Sequence, residues 1–363
     1  MCRRTVLLLS LGMLILAACT PSGPTPTPTP PVEYAVTPIP LGGPLAGRRA
    51  EVSGLAWHGD DLILLPQYPT FSAPGEGAVY SLPKAAILDF LEGRTAGPLE
   101  PTPIPLTAGG LAARVRGFEG YEAIAFHGDR AFLTVEASPG GGMMGYLVAG
   151  RLAPDLSALT LDPDTLLEIP PQADLSNLSD ETLVVVGDRL LTIYEANGAA
   201  VNPSPVAHLF TLDPAPAGTV PLPSVEYRLT DATAPDAQGR FWAINYFYPG
   251  DADLRPARDP LAERYGRGPT HARSEAVERL IEFRYEAEEI VLVDRPPLQL
   301  ELLPEGKARN WEGLVRLDGR GFLLVTDKFP ATILGFIATP DAAAAGPPGA
   351  AVLAAHSPVR STR

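Results

Sequence analysis

The sequence predicts an all-β protein folded as a β-propeller, most simply with five blades and alternatively with six. A hairpin-like unit with an apolar second strand recurs five times along the chain. In four units the opening and closing polar residues are 14 positions apart, as in Ser53 and Gln67, and in the last unit Glu312 and Asp327 are 15 apart. This shared register indicates a repeat architecture. Four-stranded sheets repeated around an axis form propeller blades.

The N-terminus reads as a bacterial export signal. Residues 1–19 combine Arg3 and Arg4 with a short apolar run and end in Leu-Ala-Ala-Cys at Cys19. The pattern is typical of a secretory signal, and the run is too short to span a membrane comfortably. Its end resembles the lipobox, which implies cleavage before Cys19 and lipidation of its thiol. The alternative is an ordinary signal whose cysteine lies near the cleavage site by chance. We therefore expect an extracytoplasmic lipoprotein anchored to the membrane through Cys19.

The remaining composition excludes several partners. Residues 20–31 are almost entirely proline and threonine and predict an extended spacer. The chain has a formal net charge of −14, and loss of the signal would remove two arginines and make it more acidic. Such a surface argues against nucleic acid and against electrostatic adhesion to membranes. With Cys2 removed and Cys19 lipidated, the folded part would contain no thiol or disulfide. We expect a monomer.

Proline marks the predicted outer strand of each blade. Proline cannot donate a hydrogen bond to a sheet and is largely confined to edge strands. The five proline-containing segments are residues 37–41, 102–106, 167–171, 219–223 and 295–300. The first of them precedes every hairpin, so we expect it to complete the last blade beside residues 332–337 and close the ring. We expect a propeller over residues 32–337 and a disordered tail over residues 338–363, which are rich in alanine, glycine and proline. A hidden unit within residues 249–300 would make six blades.

The first strand of every blade lines the central channel of a propeller. The residues that open these strands should therefore converge on one axis, and they are Ser53, Glu122, Glu181, Asp231 and Glu312. Carboxylates that converge either acquire raised pKa values or hold a cation. The set offers only oxygen ligands, which favours Ca²⁺. The alternative is that these acids bond neighbouring backbone amides at the starts of the strands.

This pattern resembles a known group of propellers. A channel ringed by Ser, Glu, Glu, a small polar residue and Glu is similar to that of the calcium-dependent apyrases, the soluble calcium-activated nucleotidases. Residues 311–314 (Trp-Glu-Gly-Leu) and 53–55 (Ser-Gly-Leu) are similar to that family's last-blade and first-blade segments. The resemblance implies a central Ca²⁺ and hydrolysis of nucleoside diphosphates at the mouth. It does not extend to the family's Asp-Asp-Arg-Thr-Gly type segment, because residues 66–69 read Pro-Gln-Tyr-Pro. The hairpins also resemble those of phytase-like esterase propellers.

Residues that close the second strands would surround the same mouth. We expect Glu136, Glu195 and Asp327 to be candidates for acid–base catalysis, or else to bind metal-bound water. Gln67, Asn245 and Lys328 are candidates for substrate binding. No nucleophile elbow, phosphate loop or zinc motif is present, so catalysis would be metal-assisted hydrolysis.

Residues 249–277 form an arginine-rich loop in an otherwise acidic protein. The loop joins the second and third strands of the fourth blade and contributes Arg264, His271 and Arg273 as further candidates for binding substrate. A cationic flap over a calcium site would suit an anionic ligand such as a phosphate ester or a carboxylated sugar. The alternative is a solvated insertion whose arginines pair with nearby acids.

Two functions remain compatible with the sequence. One is a calcium-dependent hydrolase of phosphate or other esters. The other is a non-catalytic propeller that binds a glycan or a protein and in which Ca²⁺ is structural.

Overall fold

The computed structural model describes residues 30–72, 74–286 and 288–339. The signal sequence, Cys19, most of the spacer and the tail from residue 340 lie outside the described residues. The strands in these ranges are β1 (Glu33–Tyr34), β2 (Thr37–Ile39), β3 (Val52–His58), β4 (Asp61–Pro66), β5 (Ala78–Pro83), β6 (Thr102–Thr107), β7 (Phe118–His127), β8 (Arg130–Ala137), β9 (Met144–Leu152), β10 (Leu159–Ile169), β11 (Asp180–Val186), β12 (Arg189–Tyr194), β13 (Val206–Thr211), β14 (Pro216–Pro221), β15 (Arg228–Ala232), β16 (Arg240–Phe247), β17 (Val277–Glu286), β18 (Glu289–Leu292), β19 (Leu298–Leu300), β20 (Trp311–Leu317), β21 (Gly321–Thr326) and β22 (Leu334–Ala338).

Helices are few and short. The α-helices are α1 (Lys84–Leu91), α2 (Leu111–Arg114) and α3 (Pro260–Tyr265). Single 3₁₀ turns occupy Gly43–Ala46, Arg48–Ala50, Pro69–Phe71, Ala252–Leu254, His271–Arg273 and Pro304–Gly306. None of the helices in the described ranges is long and apolar enough to cross a bilayer.

The strands group into four-stranded sheets arranged around one axis. The sheets are β3-β4-β5-β6, β7-β8-β9-β10, β11-β12-β13-β14, β15-β16-β17-β19 and β20-β21-β22-β2. The first strand of each sheet contacts the first strands of its two neighbours, in the closed cycle β3, β7, β11, β15, β20 and back to β3. The predicted all-β propeller is confirmed. We interpret the cycle as five blades, numbered 1 to 5 in this order.

The N-terminal segment closes the ring, as predicted. Strand β2 pairs antiparallel with β22, with Thr37 opposite Phe336, and so supplies the outer strand of blade 5. The two residues of β1 pair instead in parallel with β19, with Glu33 opposite Gln299 in blade 4. The N-terminal segment therefore joins blades 4 and 5. Blades 1 and 2 are joined differently, by a short parallel pairing of their outer strands β6 and β10.

The core consists of apolar clusters between neighbouring blades. The cluster between blades 5 and 1 contains Leu323 and Val325 from one blade and Leu62 and Leu64 from the other. Four further clusters fill the other interfaces around the cycle. Each blade is therefore buried on both faces. Truncating one such leucine to alanine costs about 2–5 kcal/mol.

The two ends of the channel differ in kind. We call the end where the first strands begin the mouth, and the end where each first strand turns into the second the turn end. The arginine-rich loop lies at the mouth, because β16 ends at Phe247 and β17 begins at Val277.

Candidate functional site

Every first strand carries a β-bulge at the same position. The pairing between first and second strands shifts between Val52 and Gly54 in blade 1 and at the corresponding place in blades 2 to 5. A bulge bends the strand and redirects a side chain, which is why bulges recur beside active sites. Aligning the five pairings places Ser53, Glu122, Glu181, Thr230 and Glu312 at equivalent positions. We call these five residues the channel ring.

Blade 4 contributes Thr230 to the channel ring, in place of the Asp231 expected from the sequence. Ser53 Oγ donates a 2.6 Å hydrogen bond to the carbonyl of Tyr121, and Thr230 Oγ1 donates one of the same length to the carbonyl of Trp311. Each acceptor directly precedes the ring glutamate of the next blade. Asp231 instead accepts a 2.7 Å bond from the backbone of Leu314, as the alternative interpretation anticipated for these acids. Burial raises the pKa of Asp231.

Five glutamates are buried at the mouth. Glu122, Glu181 and Glu312 come from the first strands, Glu136 lies on β8, and Glu195 directly follows β12. Their exposed fractions run from 0% for Glu195 to 8% for Glu312. Burial is the main reason that their pKa values are raised, and for Glu136 and Glu195 burial raises the pKa to about 7. The three ring glutamates therefore bind a proton strongly in the absence of a cation.

The carboxyl groups are close enough to interact with one another. After burial, the nearby charges of Glu136 and Glu312 raise the pKa of Glu122, and those of Glu195 and Glu312 raise the pKa of Glu181. Glu181 lies within hydrogen-bonding reach of Glu195 and Glu312, where a proton on one carboxyl would be shared with the next. When all are ionised none can donate. The Oε2 atoms of Glu136, Glu181 and Glu195 accordingly have no donor in the described chain.

One buried guanidinium lies among these acids, and the sequence reasoning missed it. Arg228 donates from Nη1 to Glu195 Oε1 at 2.7 Å and from Nε to Asp251 Oδ2 at 3.0 Å. Burial alone would lower its pKa, but the charges of Glu195, Glu181 and Asp251 raise it overall. The signal was present, because Arg228 lies two residues before the ring position, where the other blades carry Glu51, Gly120, Ser179 and Asn310.

Amide and acidic side chains surround the glutamates. Gln67 donates to Glu122 Oε1 at 3.0 Å, and Asn310 donates to Glu312 Oε1. Half-buried Asp327 is the charge that, after burial, most raises the pKa of Glu312. Asp327 itself accepts a 2.7 Å bond from the backbone of Phe329, and burial raises its pKa.

Lys328 and Asn245 are positioned by other partners. Lys328 Nζ lies 3.1 Å from Glu51 Oε2 at the rim of the mouth. Asn245 is fully buried, donates to the carbonyls of Glu226 and Arg228, and accepts from Arg279 Nε at 2.7 Å. It therefore supports the backbone that carries Arg228 rather than opening toward solvent.

The candidates in the loop of residues 249–277 do not join the ring. Arg264 donates to Asp294 at 2.6 Å, and Arg273 is exposed. His271 is buried, with Nδ1 2.9 Å from Glu33 Oε1 and Nε2 accepting from the backbone of Glu278. Burial lowers the pKa of His271.

Other loop arginines also pair with acids. Arg258 pairs with Glu263, and Arg255 lies 2.8 Å from Glu275. These pairs favour the interpretation of the loop as a solvated insertion.

Below the ring the channel becomes apolar. Counting two residues onward along each first strand gives a layer of Leu55, Ile124, Leu183, Ala232 and Leu314. Side chains alternate along a strand, so every second residue faces the channel again. This layer separates the acidic mouth from the turn end and keeps the carboxylates in surroundings of low polarity.

The donor set at the mouth fits a hard cation, although it is not drawn together as a metal cage. Within the described ranges no group of three or more His, Cys, Asp and Glu side chains is arranged to hold a metal ion. The chemistry nevertheless suits Ca²⁺, because only oxygen atoms are offered, carboxylates exceed buried cations and three carboxylate oxygens have no donor. Glu122, Glu181 and Glu312 would hold the ion, with Glu195 and Glu136 nearby.

No protein-family model matches the chain, and no curated protein matches it either. Solved structures give weak likenesses. A provisionally assigned glycoside hydrolase from Parabacteroides distasonis is 13% identical, with a TM-score of 0.44 over 88% of this chain and 95% of that one. A structure reported for the GH130 family of mannoside phosphorylases and glycoside hydrolases is 11% identical, with a TM-score of 0.45 over 90% and 96%. MPT-4, a mannose phosphorylase from Leishmania mexicana, is 14% identical, with a TM-score of 0.42 over 85% and 87%.

These TM-scores and identities are too low to transfer an activity or a substrate to this chain. They also do not show the resemblance to apyrases or to phytase-like esterases, which stays a prediction.

Proposed function

We propose that the mouth of the channel binds Ca²⁺ and hydrolyses phosphate or other esters. The observation that carries the proposal is the surplus of buried carboxylates, five glutamates facing one buried arginine, with three oxygen atoms that lack any donor. Buried carboxylates in such number must hold either protons or a cation. A divalent cation would replace the shared protons and satisfy several oxygens together.

The residues around the ring divide into an ion-binding set and a proton-transfer set. Glu122, Glu181 and Glu312 project from the bulged first strands and would bind the ion. A bound Ca²⁺ would supply a positive charge that polarises an ester oxygen and stabilises negative charge developing on it.

Glu136 and Glu195 differ in the proton chemistry they can perform. Both have a pKa raised to about 7 by burial, the range in which a carboxyl group can both take up and release a proton near neutral pH. Arg228 holds Glu195 Oε1 at 2.7 Å and favours its ionised form. Glu136 has no ion pair with a cationic side chain in the described chain, and its Oε2 has no donor. Glu136 is therefore the better general acid or base, and Arg228 with Glu195 forms a fixed wall of the site.

An ester panel tests the catalytic half of this proposal. The fragment from residue 31 would be assayed with nucleoside di- and triphosphates, phosphate monoesters and carboxylic esters, with Ca²⁺ and with chelator. Calcium-dependent hydrolysis that falls at least about 100-fold in Glu136→Gln, the size of a typical acid–base contribution, is expected. An exposed variant, Glu286→Gln, is the control. Absence of hydrolysis across the panel would contradict catalysis.

A non-catalytic binding propeller is the second candidate. The paired arginines of the loop over residues 249–277 favour it, because Arg255, Arg258 and Arg264 are already engaged by acids and offer no free cationic flap. In this case Ca²⁺ would stabilise the ring, and the rim would bind a glycan or a protein. Glycan-array binding that survives in Glu136→Gln and Glu195→Gln, together with no hydrolysis, would identify this function.

The location of the protein is a separate proposal. We propose that it is held outside the cytoplasm by lipid on Cys19, and residues 20–31 would act as a spacer between the bilayer and the propeller. Support comes from the sequence of residues 1–31, since this segment lies almost wholly outside the described residues.

A further inference from the structure

The turn end of the channel contains a second cavity that the proposed function does not use. Its volume is about 160 Å³, and it is lined by the first strands of all five blades and by Ala234, which follows β15. Four residues beyond the ring, the channel-facing layer consists of Trp57, Phe126, Val185, Ala234 and Arg316. Arg316 is the only charged residue among those that line the cavity.

Arg316 lacks the partners that an arginine in a half-buried position normally has. It forms no ion pair within the described chain, and its only side-chain hydrogen bond runs from Nη2 to the carbonyl of Arg240 at 3.3 Å. Its buried Nε has no acceptor. Burial lowers the pKa of Arg316, which shows the cost of this position.

Other cations at the turn end are satisfied. Lys84 lies 3.1 Å from Asp60 and 3.2 Å from Asp318, and Arg130 lies 2.9 Å from Asp213. The neighbouring Trp57 has its Nε1 bonded to the carbonyl of Arg316 at 2.7 Å. Arg316 is thus an exception at an otherwise paired surface, and it lies at the rim of an apolar cavity.

We propose that the turn end binds a small apolar monocarboxylate, with its carboxylate on Arg316 and its hydrocarbon part in the channel. A guanidinium presents paired N–H groups that match a carboxylate, and the pair is strongest where water is partly excluded. A cavity of about 150 Å³ lined by Leu, Ile and Phe is known to be large enough for benzene. An aromatic or branched short-chain acid therefore fits in both size and polarity.

The surrounding charges favour a monoanion over a phosphate dianion. The charges of Asp236 and Glu282 raise the pKa of Arg316, whereas that of Arg295 lowers it, after the dominant effect of burial. Two acids and one further base near the guanidinium leave little net positive potential for a second negative charge. The layer of Leu55, Ile124 and Leu183 also separates this site from the acidic mouth, so the proposal does not depend on the proposed hydrolysis.

Benzoate and benzyl alcohol form a matched pair of probes, because they share the ring and differ in charge. Titration calorimetry would be carried out on the fragment from residue 31 with each ligand. Wild type is expected to bind benzoate with a millimolar dissociation constant. Loss of one charge-assisted hydrogen bond weakens binding roughly 10-fold or more. Arg316→Gln should show this loss for benzoate and little change for benzyl alcohol.

Three more variants locate the site. Ala234→Leu narrows the exit of the channel and should weaken both ligands, whereas Arg151→Gln, which removes an exposed arginine at the same end, should weaken neither. Glu312→Gln alters the mouth and should leave benzoate binding unchanged. Thermal melts would confirm that each variant folds. The proposal is overturned if wild type does not bind benzoate, if Arg316→Gln binds it equally well, or if Glu312→Gln abolishes binding.

Discussion

The guanidinium of Arg228 lies 2.7 Å from Glu195 Oε1 at the centre of the mouth, and both side chains are almost inaccessible to solvent. Arg228 is also held by Asp251 at 3.0 Å, from the loop that follows β16. The ring of acids is therefore joined directly to the inserted loop of blade 4. Because every other charge in the first layer around Glu195 is negative, this ion pair controls how many protons or cations the mouth must contain.

Removing the guanidinium should destabilise the protein in a pH-dependent manner. Arg228→Met would leave Glu195 buried without a countercharge, a defect that costs about 3–5 kcal/mol. At pH 5 Glu195 can be protonated, so the cost should be much smaller than at pH 8. Urea unfolding at the two pH values measures this difference. Arg264→Gln, which breaks an exposed pair, should cost less than about 1 kcal/mol at both. An equal loss for Arg228→Met at both pH values would contradict the account.

Without calcium the protein should become less stable as the pH rises from about 5 to about 7. Burial raises the pKa of Glu136 and Glu195 to about 7, above their value of 4.5 in the unfolded chain. Across that window the folded state holds more protons than the unfolded state, so the free energy of unfolding falls with pH. A single group with such a shift contributes about 3 kcal/mol. Thermal melts in chelator across this range test the sign, and stability that rises with pH would refute it.

Calcium binding should release protons from the mouth. The ring glutamates can coordinate a cation only when ionised, and their pKa values are raised without it, so affinity should increase from pH 6 to pH 8. Calorimetry in two buffers of different ionisation enthalpy counts the protons released. Glu136→Gln should release fewer than wild type, and Glu286→Gln should release the same number. Affinity independent of pH would place the ion elsewhere.

The N-terminal segment should depend on one buried carboxylate. Glu33 accepts hydrogen bonds from the backbone and hydroxyl of Thr270 and from the backbone and ring of His271. Glu33→Ala leaves these donors without an acceptor, at a cost of about 1–3 kcal/mol or more. Glu33→Gln should lose less, because its carbonyl can still accept. Native-state hydrogen exchange at residues 33–41 would show the loosening, and unchanged protection in Glu33→Ala would contradict it.

Lipidation at Cys19 is tested by fractionation of bacteria expressing the full chain. Wild type should sediment with membranes, and Cys19→Ser should appear in the soluble fraction or keep an uncleaved signal sequence. Cys2→Ser is the matched control and should behave as wild type. A Cys19→Ser protein that is still cleaved and membrane-bound would exclude the lipid anchor.

Much of the architecture could be predicted because the repeats are written in local chemistry. The proline-marked segments became edge strands, and residues 37–41 closed the ring through β2, since neither feature requires knowledge of distant contacts. Strands β1 and β18 were missed because segments of two and four residues carry no periodicity of their own. The parallel pairing of β6 with β10 is likewise a tertiary contact that no local pattern encodes.

The site was harder to predict because it depends on register within a bulge. Counting 14 residues back from Asn245 selected Asp231, but the bulge in blade 4 moves the channel position to Thr230 and the second-strand position to Tyr246. A shift of one residue in a strand turns a side chain to the other face. The same shift hid Arg228, which is unremarkable in the sequence and becomes central once the five strands are aligned.

The most direct test of the central claim is a calcium titration of the chelator-stripped fragment from residue 31, followed by thermal melting at pH 7.5. At 100 times its dissociation constant a ligand stabilises a protein by about 2.7 kcal/mol, a shift of a few degrees. We predict this shift for wild type and for Glu286→Gln, and its loss in Glu122→Gln and Glu312→Gln. If all four proteins shift equally, or if none shifts and elemental analysis finds no retained metal, the channel ring does not bind calcium.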